Sequence, residues 1–191
     1  MTRRKFFIIL LVVSGVYIGG CTILGRRNAP PKCDPQLQTL LLTADNFPPG
    51  WTRGEPIQDD EFREGAIDSC LVSFYVSNGV AGQIVNIYGD EAQTVRGYTN
   101  LISYLAWQEK AQPLATPTYV SSAADEYFLE CAIPEDTPMC QYIGRYGRFV
   151  TRFNTHFRPQ FMTEEELLSV LEAIDSRMND YLNNTSVAPV K

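Results

Sequence analysis

Four arginines spaced along one short stretch carry the strongest chemical signal in the chain. The stretch QYIGRYGRFVTRFNTHFRP places Arg145, Arg148, Arg152 and Arg158 among aromatic residues in an otherwise acidic sequence. A guanidinium presents a planar fork of donors that fits carboxylate or phosphate. Read as one strand from Gln141 to about Phe157, the alternation puts Tyr142, Tyr146, Arg148, Val150, Arg152 and Asn154 on one face. Ile143, Phe149, Phe153 and Phe157 fall on the other. The phenylalanine face is then expected against helices, leaving Tyr142, Tyr146, Arg148 and Arg152 to line a groove for an anionic ligand. The competing expectation is a solvated face whose arginines pair across strands with Asp125, Glu126 or Glu130.

Other reactive residue types are sparse. His156 is the sole histidine, and no nucleophile can be assigned to it from the sequence, so it is expected at a strand end on the surface. Asp59, Asp60 and Glu61 form an acidic run without the ligand spacing of a calcium loop and read as solvated loop. Trp51, Tyr104 and Trp107 could wall an aromatic pocket, but their spacing suits core positions better. No catalytic motif appears. The expectation is a protein that binds rather than transforms, with no cofactor, no metal and no catalytic residues.

Five cysteines divide into one and four. Cys33, Cys70, Cys131 and Cys140 are an even set, which in an exported chain implies disulfides. They allow three pairings. Cys131 and Cys140 bracket AIPEDTPM, a loop rich in proline and acid that would join two adjacent strands, which leaves Cys33 with Cys70. Zinc is the rival reading, but no CxxC pair exists.

Cys21 stands apart, at the end of MTRRKFFIILLVVSGVYIGG. Three basic residues followed by a short apolar run have the form of a secretory signal, and the run is shorter than the ~20 residues of a membrane span. Ile18-Gly19-Gly20-Cys21 resembles a bacterial lipobox. That resemblance implies cleavage before Cys21, acylation of its thiol and amine, and stable anchoring through more than one chain. Residues 1–20 are then signal peptide and residues 21–32 a lipidated tether. The location implied is the cell membrane or an outer membrane, lipid-anchored and facing the periplasm or the exterior. Losing residues 1–20 removes three of the 16 Lys and Arg and none of the 22 Asp and Glu, leaving 13 against 22, a formal −9. So acidic a chain, with a single histidine, argues against nucleic acid as a partner.

The elements that must position these residues fall in one domain, residues 33–182. Asp34-Pro35 opens a short helix that stops at DNFPPGW, where Phe47 and Trp51 are expected to plug into the core. A hairpin follows, with Asn78-Gly79 as its turn. Asp90 and Gln93 cap a long helix whose predicted stripe is Ala92, Val95, Tyr98, Thr99, Ile102, Leu105 and Ala106. Strands are predicted at Thr118–Val120, Glu126–Ala132 and Gln141–Phe157. A last helix, capped by Thr163 and Glu166, buries Leu167, Val170, Leu171, Ile174, Met178 and Tyr181. Residues 183–191 read as a disordered tail.

The order α-β-β-α-β-β-β-α indicates an α+β fold: an antiparallel sheet of about five strands with helices packed on it and two disulfides. This arrangement resembles extracytoplasmic sensor domains of actinobacterial serine/threonine kinases and, in outline, Mog1/PsbP-like lipoprotein domains. LLTADNFPPGW resembles a segment of uncharacterised bacterial lipoproteins. The implied function is a membrane-tethered extracytoplasmic module that binds or senses a ligand. The alternative is an accessory or scaffold subunit docking on a larger envelope complex. The expected partners are the lipid membrane, through acylated Cys21, and a small molecule or an envelope protein.

Overall fold

A computed structural model describes residues 32–59, 65–105 and 111–185. The residues read as signal peptide, Cys21 and most of the residues read as tether lie outside the described residues, as do Asp60, Glu61, Ala106, Trp107 and residues 186–191. The described residues all fall in one compact unit.

The chain forms α1 (Pro35–Leu40), a 3-10 turn (Ala44–Asn46), β1 (Thr52–Arg53), β2 (Ile57–Gln58), β3 (Asp68–Val76), β4 (Gly79–Ile87), α2 (Glu91–Leu105), β5 (Gln112–Pro113), β6 (Glu126–Ile133), β7 (Met139–Tyr146), β8 (Phe149–His156) and α3 (Glu164–Thr185). The class is α+β, as expected, but the sheet has eight strands, in the order β1-β3-β4-β8-β7-β6-β5 with β2 also pairing β3. All pairings are antiparallel. The added strands β1, β2 and β5 are two residues long, too short for any alternation to announce them. Thr118–Val120 takes no regular structure.

The segment from Gln141 to Phe157 is two strands, not one. Gly147, at φ 56°, turns the chain back in the left-handed region that glycine occupies without steric cost. Asp125 holds the turn: its Oδ2 accepts from the Gly147 N–H at 2.7 Å. The register pairs Tyr146 with Phe149, Tyr142 with Phe153 and Ile143 with Arg152. Partners opposite each other share a face, so the turn reverses the expected alternation. Tyr142 and Tyr146 join Phe149 and Phe153, whereas Arg152 joins Ile143 on the other side.

Both faces of the sheet are covered. On one, α1 and α3 close a core that includes Leu37, Leu40, Phe47, Trp51, Phe74, Phe153, Leu171 and Ile174. Phe47 stacks on Phe74 with centroids 4.2 Å apart, and the Trp51 indole donates to the Phe161 carbonyl at 3.2 Å, so both residues plug the core as expected. Gln83, fully buried in mid-sheet, accepts from the Leu42 N–H at 2.7 Å and donates to the Leu40 carbonyl at 3.3 Å. It thereby satisfies the C-terminal end of α1.

On the opposite face, α2 covers a smaller cluster of Tyr88, Tyr98, Leu101, Ile143 and Val150. The buried side of α2 is Thr94, Gly97, Tyr98 and Leu101, while Val95 is 38 % exposed and Ala92 and Thr99 are exposed. The predicted stripe is thus rotated. Gly97 lets the helix settle on the Tyr88 ring, which a Cβ at that position would strike.

The predicted caps form. Asp34 accepts from Gln36 N–H at 2.6 Å, and Asp90 from Gln93 N–H at 2.8 Å. The Gln93 side chain reaches Gly89 N–H rather than the cap residue. Thr163 and Glu166 bond reciprocally. The α3 stripe is as read, and the helix continues to Thr185, three residues into the segment read as disordered tail. Its Arg177 reaches back to Asn46 Oδ1 at 3.2 Å.

Two disulfides close the domain. Cys33–Cys70 joins the chain before α1 to β3, and Cys131–Cys140 bridges directly opposite positions of β6 and β7. With partners 37 and 9 positions apart, loop-closure entropy makes them worth about 4 and about 2.7 kcal/mol.

Candidate functional site

The arginine cluster is dispersed by the fold. Arg145, nearly buried beneath α2, forks onto Asp125 and Glu126 at 3.2 Å each, the cross-strand pairing that the competing expectation described. Arg158 donates to the Asp136 carbonyl at 3.0 Å. Arg152 is largely buried on the α2 side, where burial lowers its guanidinium from the ordinary value and the Asp59 carboxylate acts in the other direction. Arg148 alone stands in the β7–β8 turn, exposed, and among the described residues nothing pairs with its side chain.

Tyr142 and Tyr146 do not join Arg148 in a groove; both are fully buried. Tyr146 donates to Asp175 Oδ1 at 2.6 Å, so its one hydrogen is spent and Tyr142, 2.8 Å away, donates to it. Oδ2 of Asp175 accepts from Tyr119 at 2.9 Å, Ser121 Oγ at 2.7 Å and Ser122 N–H at 2.7 Å. Burial pushes all three phenols above their ordinary range; beside Tyr119 and Tyr146 the Asp175 carboxylate adds to it. This cluster fastens residues 119–124 to α3 and β7. Asp175 was missed from sequence, yet it sits four residues after Leu171 and three before Met178, inside the apolar stripe. An acid at such a position is the signal.

His156 lies at the other end of β8 from Arg148, its ring 6.1 Å from that of Phe161. Tyr104 is 72 % exposed, whereas Trp51 is core. Asp59 is buried rather than solvated. Among the described residues no cluster of three His, Cys, Asp or Glu side chains is placed to hold a metal ion.

A groove is present around Arg148. One concavity of about 420 Å³ is lined by Gln36, Ile87, Gly147, Arg148, Phe149, Tyr181 and Leu182. A second, of about 430 Å³, shares Gln36, Ile87 and Tyr181 and adds Asp34, Leu37, Gln58, Ile67 and Asp68. Volumes of roughly 300–1,000 Å³ are typical of small-molecule sites. The groove lies where α1, the end of β4, the β7–β8 turn and the last turns of α3 converge. Phe149 and Tyr181 meet edge to face at 5.4 Å and form its apolar floor. Two bonds fix its walls: Tyr88 N–H to the Arg148 carbonyl at 2.9 Å, and Ile67 N–H to the Ile87 carbonyl at 2.8 Å. Asp68 is held by Gln58 Nε2 at 3.0 Å and Ser69 N–H at 2.8 Å. A roomier hollow of about 590 Å³ runs along Glu164, Glu165, Leu168, Ser169 and Glu172, but its described wall is one acidic helix face with no converging groups.

No family model matches the chain, and no curated protein is significantly similar to it. Among solved structures, the fold is similar to the extracellular domain of PknH from Mycobacterium tuberculosis. The TM-score is 0.57 at 10 % identity, over 78 % of this chain and 98 % of that one. The resemblance to kinase sensor domains read from the sequence therefore holds at the level of fold.

Proposed function

We infer that the protein is an extracytoplasmic, membrane-tethered module that binds or senses a ligand in the groove at Arg148. The groove carries the reading: a cation that nothing among the described residues pairs stands over an apolar floor at the meeting point of four elements. Two further observations support the location. Both disulfides belong to an oxidising compartment, and a protein with a similar fold is an extracellular domain. Lipid attachment at Cys21 rests on the sequence pattern.

The alternative, a scaffold docking on an envelope complex, needs a continuous apolar surface. Among the described residues the exposed large apolar side chains are instead spread over several elements: Ile67 and Tyr75 near the two ends of β3, Val95 and Tyr104 on α2, and Val120 and Tyr127 before and within β6.

Two measurements test the reading. Intact mass of the membrane-fraction protein is expected to show a chain beginning at Cys21, carrying acyl mass and gaining four hydrogens on reduction. A Cys21→Ala variant is expected to lack the acyl mass. An unmodified, unprocessed chain would overturn the tether. Amide hydrogen exchange with and without a bacterial envelope extract is expected to slow at Ile87, Gly147, Phe149 and Tyr181. Unchanged exchange there would overturn the binding role.

A further inference from the structure

We propose that the groove takes an anionic phospholipid of the membrane that holds the chain. Its phosphate would sit on Arg148, its first acyl carbons along Phe149, Tyr181 and Leu182, and its headgroup hydroxyls at Asp34 and Asp68. The proposal rests on the tethered-module reading and adds the ligand class.

Charge selects the head. Arg148 is a single guanidinium that nothing among the described residues pairs, a shape that forks onto phosphate oxygens. The neighbouring lobe holds Asp34 and Asp68, which repel an extended polyanion and accept hydroxyl donors. One phosphate next to hydroxyls satisfies both lobes. The floor selects the tail. Ile87, Phe149, Tyr181 and Leu182 line the same concavity as Arg148, so methylenes attached to the phosphate leave water as it docks.

Reach supplies the ligand. Asp34, on the groove rim, follows Cys33, which the disulfide pins to Cys70 in β3. Cys33 lies twelve positions after Cys21, and an extended chain at about 3.3–3.6 Å per residue spans at most roughly 40 Å. A chain anchored at Cys21 therefore keeps this rim close to the lipid surface.

The test is amide hydrogen exchange on the full acylated chain in neutral maltoside micelles, titrated separately with short-chain phosphatidylglycerol and with glycerol 3-phosphate. The lipid is expected to slow exchange at Ile87, Gly147, Phe149 and Tyr181, and glycerol 3-phosphate to do so far less. Arg148→Gln, a change at an exposed turn position, should leave the melting temperature unchanged and weaken lipid binding by roughly tenfold or more. Leu182→Gln should weaken the lipid and leave glycerol 3-phosphate unaffected. If glycerol 3-phosphate binds as tightly as the lipid, the ligand is a free phosphate ester and the lipid claim falls. If neither probe protects the groove while the envelope extract does, the lipid claim falls and the binding module stands. If none protects it, both fall.

Discussion

The two faces of the sheet are held in different ways. Beneath α1 and α3 lies a broad apolar core, with one carboxylate, Asp175, gathering hydroxyls from β7 and from the loop before β6. Beneath α2 the apolar cluster is small, and Arg145, Arg152 and Asp59 surround it. The first face combines area with a polar node that fixes where a loop must sit. The second depends on close approach: Gly97 rests on Tyr88, and a Cβ there would strike the phenol. A deletion should therefore hurt the first face most and an added atom the second.

Asp175→Ala should produce the largest effect. It strips the acceptor from Tyr146, Tyr119, Ser121 and the Ser122 N–H together, which costs about 3–5 kcal/mol. Chemical denaturation reads the loss, and exchange at residues 119–124 should rise with it. Asp175→Asn, which keeps one acceptor oxygen, should cost less. If Asp175→Ala proves neutral, the node does not hold this face.

Gly97→Ala tests the opposite face. Alanine is the better helix former by about 1 kcal/mol, yet the new methyl meets Tyr88, and overpacking costs about 1–3 kcal/mol. A net loss of stability, relieved when Tyr88 is also shortened to Leu, is expected. A more stable Gly97→Ala protein would mean that α2 is free to shift.

The smallest effect is in alkali. Burial, aided by Glu126, pushes Tyr98 up to about 12 from its usual 10.0. The unfolded chain releases this proton first, so the stability linked to Tyr98 is complete below pH 10 and is lost as pH rises through 12. Tyr98→Phe should flatten that part of the stability curve and leave the contribution of Tyr119, Tyr142 and Tyr146. A curve unchanged by the substitution would place the alkaline loss wholly on the α3 face.

Local signals were legible from sequence and long-range ones were not. The caps at Asp34, Asp90 and Thr163 depend on neighbours within a few residues, and all three form. The α3 stripe was readable because that helix rests on a broad apolar surface. The α2 stripe was not, because what rotates the helix is Tyr88, a partner outside its own periodicity. In RYGRF the apolar alternation runs on through Gly147, so nothing local marks the reversal that carries Tyr142 and Tyr146 into the core. Arg148 was expected to line a groove beside Tyr142, Tyr146 and Arg152; it stands instead in the β7–β8 turn and lines a concavity without them. Its neighbours there, Ile87 and Tyr181, come from distant elements that only the fold brings together.

The sheet ends in fragments on both sides. At one margin β1 and β2 share the length of β3 between them, and at the other β5 offers two residues, one of them Pro113. A long, straight outer strand displays a row of open donors and acceptors onto which another copy can add, whereas short pieces and proline interrupt that row. Margins broken in this way leave a second copy little to add to, even where the protein is crowded.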